Sequence, residues 1–161
     1  VVRKLKYILP TIIVLLCVYF IYYGAWNVRN NTMVNEYNER VLSLGYVRDG
    51  KAYELHDKNI TYHAGNQELP ALKWDFVNKS LSAYYCDDEM IWDISFRSED
   101  GVGYFYFQVN VDSSIAGTIS TDGIIEYTEI TGLAESVLED NKAQIEKIVE
   151  TMNHHWKVLY D

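Results

Sequence analysis

The sequence predicts an α+β protein in which an N-terminal single transmembrane helix precedes an antiparallel sheet of hairpins packed against a long C-terminal helix. An uncharged apolar run occupies residues 7–26, strands that alternate apolar and polar residues follow from residue 90, and apolar residues recur at helical spacing from residue 136. We expect a cytoplasmic basic tail (1–6), a transmembrane signal anchor (7–26), a membrane-proximal helix (27–45) and an extracytoplasmic α+β binding domain (46–161).

The apolar run is long enough to cross a bilayer, because twenty residues at a helical rise of about 1.5 Å span about 30 Å. Arg3, Lys4 and Lys6 precede it, and cations favour a cytoplasmic location for their flank, so the C-terminal domain is expected outside the cell. Signal-peptide cleavage after Ala25 would place the bulky Tyr23 where a small residue is needed. We therefore expect an uncleaved anchor in the cytoplasmic membrane.

The part of the chain after the apolar run is strongly acidic. Residues 27–161 hold 11 Lys and Arg residues against 23 Asp and Glu residues, a net charge of −12. Such a surface repels phosphate backbones, so no nucleic-acid binding is expected and a basic partner is the complement. The alternative is that the charge simply keeps an exported protein soluble. Cys86 is the one cysteine in this part, which suits a Gram-positive surface, although three Asn-x-Ser/Thr sequons point to a eukaryotic lumen.

The elements that follow the anchor are shorter. Apolar residues at spacings of three and four predict an amphipathic helix over Asn31 to Leu44, with Gly45 as its C-cap. Asp49-Gly50 predicts a hairpin turn, and residues 60–63 predict a further strand. Residues 69–85 stay ambiguous, because their apolar residues fit both a helix and an extended chain.

Two hairpins provide the clearest strands. The first joins residues 90–97 to 104–111 through a turn at Glu99-Asp100-Gly101, and its large apolar residues alternate with polar ones. The second joins 118–121 to 124–130 across Asp122-Gly123. A capping box from Ser136 to Glu139 then predicts the start of one long amphipathic helix that packs across the sheet.

No catalytic, cofactor or metal signature is present in the sequence. Cys86 and four histidines supply thiol and imidazole groups, but no His-x-x-x-His or Cys-x-x-Cys spacing occurs. His154 and His155 are adjacent, so they point to different sides of a helix. We therefore expect no cofactor and no enzyme activity, and we interpret Trp74, Trp92 and Trp156 as core residues.

The polar face of the first hairpin is the candidate partner-binding surface. Tyrosine combines a large rigid contact area with a hydroxyl group, and it concentrates at protein interfaces. The predicted partner-binding residues are Asp87, Asp88, Asp93, Ser95, Arg97, Tyr104, Tyr106 and Gln108. The alternative for Asp87 and Asp88 is a solvated turn, and the alternative for the tyrosines is an outer sheet face without a partner.

The order of basic tail, single anchor, short helix, aromatic hairpins and terminal helix carries a family resemblance. With Trp92-Asp93-Ile94-Ser95-Phe96, Tyr104-Phe105-Tyr106-Phe107 and the opening Val1-Val2-Arg3-Lys4-Leu5-Lys6-Tyr7-Ile8-Leu9-Pro10, the chain resembles the TipC family of streptococcal immunity proteins. The resemblance implies a non-enzymatic membrane protein that neutralises an LXG-type toxin delivered by type VII secretion.

The expected function is therefore that of an extracytoplasmic immunity protein, which binds a secreted protein toxin that has a basic contact surface and acts outside the cytoplasm. The membrane is contacted through residues 7–26. Two alternatives stay open. One is a cell-envelope hydrolase that uses acidic residues, and the other is a structural or sensory subunit of a membrane complex.

Overall fold

The computed structural model describes residues 2–50, 52–76, 79–86, 91–97, 103–110, 113–119, 125–130 and 134–160. Within these ranges two helices, α1 (Val2–Ser43) and α2 (Ala134–Tyr160), flank eight strands. The strands are β1 (Val47–Asp49), β2 (Ala52–Asp57), β3 (Ile60–Gly65), β4 (Ser80–Cys86), β5 (Ile91–Arg97), β6 (Gly103–Asn110), β7 (Ser113–Ile119) and β8 (Ile125–Ile130). The predicted fold class is confirmed.

Helix α1 runs without a break through the predicted anchor and the predicted membrane-proximal segment. Its segment from Ile8 onward is long and apolar enough to span a membrane, and the most apolar stretch is not buried within the protein. Towards its C-terminal end only one side is apolar, and there Tyr37 and Val41 are buried in the core. The same rigid helix therefore belongs both to the apolar N-terminal segment and to the folded domain.

A Schellman motif around Gly45 ends α1. The Tyr46 amide donates to the Val41 carbonyl oxygen at 3.4 Å, and the Gly45 amide donates to the Leu42 carbonyl oxygen at 3.0 Å, which are the two hydrogen bonds of this motif. Gly45 has a φ of +91°, a conformation that glycine adopts without a Cβ clash. The predicted glycine C-cap is confirmed.

The strands form one antiparallel sheet in which spatial order follows chain order from β1 to β8. Antiparallel neighbours can be connected by hairpins. The chain turns between β1 and β2 at Gly50, as predicted, and Gly50 has a φ of +56°. Strand β7 begins at Ser113, five residues before the predicted start. The predicted turns at residues 99–101 and 122–123 lie outside the described residues.

Alternation along the strands places one face of the sheet in the core. In β5, Trp92, Ile94 and Phe96 are buried, as the period-two pattern predicts. Strands β2 to β4 extend this face, and α2 contacts β4, β6 and β7. Among the α2 residues whose side chains the structure describes, the buried ones are Ile145, Ile148, Val149, Met152, His155, Trp156 and Leu159. The predicted packing of the C-terminal helix on the sheet is confirmed.

Some sequence expectations differ from the structure. Trp74 is 39% exposed, so its assignment to the core is wrong; it lies on an irregular loop that contacts α1 instead. Residues 80–85 of the ambiguous segment 69–85 are extended as part of β4. Helix α2 begins at Ala134, so Ser136 is its third residue and not its N-cap.

Candidate interface on the outer face of the sheet

The face of the sheet turned away from α2 is polar, and we call it the outer face. Its described positions alternate with the buried residues of the core face. The polar ones include Glu54, His56, Thr61, His63, Ser82, Tyr84, Asp93 and Ser95, and the exposed apolar Val47 and Ile91 lie on the same face. Asp93 is exposed and Ser95 is half-buried. The outer face can therefore offer hydrogen-bonding groups and negative charge to a partner.

Tyr84 lies at the centre of the described part of this face. It is 40% exposed and pairs across the strands with Asp93 on one side and Thr61 on the other. A hydrogen bond with the Cys86 thiol raises the pKa of Tyr84, and the charges of Cys86 and Asp93 act in the same direction. The Tyr84 hydroxyl accordingly keeps its proton at neutral pH and can serve as a hydrogen-bond donor.

The register relates the predicted partner-binding residues to one another. Tyr104 pairs with Ser95, Tyr106 with Asp93 and Gln108 with Ile91, and directly paired positions of an antiparallel sheet share a face. The structure describes the strand positions and the register of Arg97, Tyr104, Tyr106 and Gln108, and their side chains lie outside the described part. Asp87 and Asp88 lie outside the described residues.

A carboxylate flanked by two imidazoles extends the outer face on β2 and β3. Glu54 Oε2 is 3.4 Å from His56 Nε2, and Glu54 Oε1 is 3.3 Å from His63 Nδ1. His56 Nδ1 is also 3.1 Å from the Thr61 hydroxyl oxygen. The sequence does not predict this group, because His63 reaches Glu54 only through the β2–β3 register. The available signal was the Glu-x-His spacing, which places both side chains on one side of a strand.

A concavity of about 210 Å³ adjoins this group, and its polar lining includes His63, Ser80, Ser82 and Ser95. Its small hydroxyl groups leave room for a protruding side chain from a partner. Among the described residues no group of three or more His, Cys, Asp or Glu side chains has an arrangement that could hold a metal ion.

Comparisons with protein-family models, with curated proteins and with solved structures find no match to this chain.

Proposed function

We propose that this protein is a membrane-anchored immunity protein, which binds a secreted antibacterial toxin outside the cytoplasm and neutralises it without catalysis. The observation that carries the proposal is the outer face of the sheet. Its polar groups are held on strands whose opposite face is packed in the core. A surface on strands that are packed in this way needs little ordering on association, which favours tight binding.

Contacts between the N-terminal helix and the folded domain support a location at the membrane. Tyr22, inside the apolar run, bonds to the folded domain through Leu72 and Trp74, and α1 continues into the core at Tyr37. Cleavage near Trp26 would remove the Tyr22 contacts. The cations at Arg3, Lys4 and Lys6 favour the orientation with the domain outside.

The electrostatics support a basic partner. The net charge of −12 on residues 27–161 raises the association rate of a cationic protein, and the effect weakens as salt screens it. The resemblance to the TipC family supplies the class of partner, an LXG-type toxin exported by type VII secretion. An immunity protein displayed outside the membrane would meet such a toxin before it reaches an extracytoplasmic target.

The test uses the full-length chain and a secreted toxin candidate encoded by a neighbouring gene. Cells that produce the chain should survive the toxin, and the detergent-solubilised protein should form a stoichiometric complex with it. Protease added to intact cells should digest the domain, and N-terminal sequencing should recover a mature chain that retains residues 1–26. Protection at strongly substoichiometric amounts, with chemical change in the toxin or its substrate, would instead indicate the hydrolase alternative.

A further inference from the structure

A loop of the folded domain lies along the segment of α1 that leaves the apolar run. The Tyr22 hydroxyl donates to the Leu72 carbonyl oxygen at 3.0 Å and accepts from the Trp74 indole N–H. Arg29 Nε donates to the Trp74 carbonyl oxygen at 2.9 Å. We call residues 69–75 the tryptophan loop. Its backbone and its indole are both fixed to α1.

The loop is held at a defined height on the helix. Its first residue, Leu69, donates its amide to Asn30 Oδ1 at 3.0 Å, and the Trp74 ring centroid is 5.4 Å from that of Tyr22. Tyr22 precedes Trp26, the last residue of the apolar run, by about 6 Å along the helix axis. The Trp74 ring is therefore level with the last turn of the apolar run, whereas Leu69 lies just beyond it.

Helix α1 carries further aromatic side chains at this level. The rings of Tyr19 and Tyr23 stack at 6.2 Å, and those of Tyr23 and Trp26 lie 5.5 Å apart. Tyrosine and tryptophan concentrate at the headgroup depth of a bilayer, where an apolar ring and a polar tip are both solvated. Trp74 is 39% exposed, so the domain adds an accessible indole to the belt that the helix provides.

The charges around the loop are also suited to lipid headgroups. The Arg29 guanidinium lies 5.9 Å from the Trp74 ring centroid, and the Lys73 side chain is exposed. The acidic neighbours are the exposed Glu68 and Asp75, and the Asp75 carboxylate accepts the Phe76 amide at 2.8 Å. Within an acidic domain, two cations beside an exposed indole match the phosphate groups of a membrane surface.

We propose that the tryptophan loop is a second membrane contact, in which Leu72 and Trp74 enter the headgroup region of the bilayer spanned by α1. Lys73 then lies beside the lipid phosphates. The inference rests on α1 spanning a bilayer and not on toxin binding. Because α1 continues into the core, where Tyr37 and Val41 are buried, the helix and the loop together fix the domain directly on the membrane surface.

Spin labelling of the full-length chain in phosphatidylcholine–phosphatidylglycerol vesicles tests this contact. Lys73→Cys is labelled with a nitroxide in a Cys17→Ala, Cys86→Ala background. Collisions with oxygen, which concentrates in lipid, are compared with collisions with a water-soluble nickel chelate. Ile12→Cys in the apolar run and Glu39→Cys, about 20 Å beyond Trp26 on α1, provide the lipid and water references; all three positions are exposed.

The label at position 73 should be shielded from the nickel chelate relative to position 39, and its oxygen accessibility should lie between those of positions 39 and 12. Tyr22→Phe, which removes the hydrogen bond to Leu72, should raise nickel access at position 73 alone. Nickel access at position 73 equal to that at position 39 overturns the proposal. Shielding that disappears when the protein is diluted with excess lipid also overturns it, because a second copy of the chain would then be the occupant.

Discussion

The hydroxyl group of Tyr160, at the end of α2, hydrogen-bonds both backbone groups of Ser80, the first residue of β4. It donates to the Ser80 carbonyl oxygen at 2.9 Å and accepts from the Ser80 amide at 3.2 Å. The Gln67 side-chain amide also donates to it at 3.1 Å, and the Tyr160 ring stacks on that of Tyr37 at 5.8 Å. One side chain therefore joins both helices, the sheet and the segment that leads to the tryptophan loop.

Replacement of this hydroxyl should destabilise the domain. Tyr160→Phe leaves the Gln67 amide and the Ser80 backbone groups without their partner, and an unsatisfied buried polar group costs about 1–3 kcal/mol. We expect the free energy of unfolding to fall by about 2 kcal/mol, measured by urea titration of the detergent-solubilised chain with tryptophan fluorescence. Tyr84→Phe on the exposed outer face is the control, and its effect should stay within about 0.5 kcal/mol. Equal stability of wild type and Tyr160→Phe would contradict the assigned role.

The strands and the apolar N-terminal helix could be predicted because their signals are local. Trp92, Ile94 and Phe96 alternate with polar residues, and a period of two identifies the buried face without knowledge of the neighbouring strands. The apolar run is recognisable from its length alone. Gly45 marks the end of α1 because a Schellman motif needs a left-handed residue there.

The tryptophan loop and the Glu54 group could not be predicted, because their partners are distant or depend on register. Trp74 looks like a core residue in sequence, and only its contact with Tyr22, 52 residues away, explains its exposed position. His63 lies beside Glu54 because the β2–β3 pairing places it there. Ser136 and Glu139 have the spacing of a capping box and therefore resembled a helix start. The helix begins at Ala134, so both residues lie inside it.

His155 should make the stability of the domain dependent on pH. It is buried, its Nδ1 lies 2.9 Å from the Tyr46 hydroxyl oxygen, and the rings of Tyr46 and Tyr62 surround it at 5.5 and 5.7 Å. Burial lowers the pKa of His155, and the adjacent His154 lowers it further. In the unfolded chain His155 has a pKa of about 6.5, so it binds a proton at a higher pH than in the folded chain. The free energy of unfolding therefore falls as pH drops below this value.

This dependence can be measured by urea unfolding at pH values above and below the ordinary histidine pKa. His155→Gln should reduce the loss of stability on acidification, although the variant starts from a lower stability because it loses the packing on Tyr46. His154→Gln, at an exposed neighbouring position, is the matched control and should keep most of the pH dependence. If wild type and His155→Gln lose the same free energy on acidification, His155 is not the responsible group.

Cys86 should have no chemical role in the proposed function. It is an exposed cysteine at the end of β4 that hydrogen-bonds Tyr84, and a nucleophilic mechanism would require its thiolate. Cys86→Ser should protect cells from the toxin as wild type does and should change the binding free energy by no more than about 0.5 kcal/mol. Cys17→Ser, in the apolar run, is the control for general effects of thiol removal. Loss of protection in a folded Cys86→Ser protein would favour an enzyme.

The outer face should contain the toxin-binding residues. Aromatic and arginine side chains at the centre of an interface usually dominate its binding energy, whereas charges at the rim mainly set the association rate. Tyr104→Ala, Tyr106→Ala and Tyr84→Ala should each weaken toxin binding by about 2 kcal/mol or more if the side chain lies at the centre of the interface. Calorimetry with the full-length protein in detergent measures this directly.

The charges of the same surface should act mainly on the rate of association. Asp93→Asn, and neutralisation of Asp87 and Asp88, should slow association at low salt and flatten its salt dependence, with little change in dissociation. Glu146→Gln removes the same charge from an exposed position on α2, behind the opposite face of the sheet. Stopped-flow measurements at two salt concentrations compare these variants. If Glu146→Gln slows association as much as Asp93→Asn, the effect comes from net charge alone. If α2 variants that remain folded abolish binding while the outer-face variants do not, the toxin contacts α2, and the sheet face is free for another role.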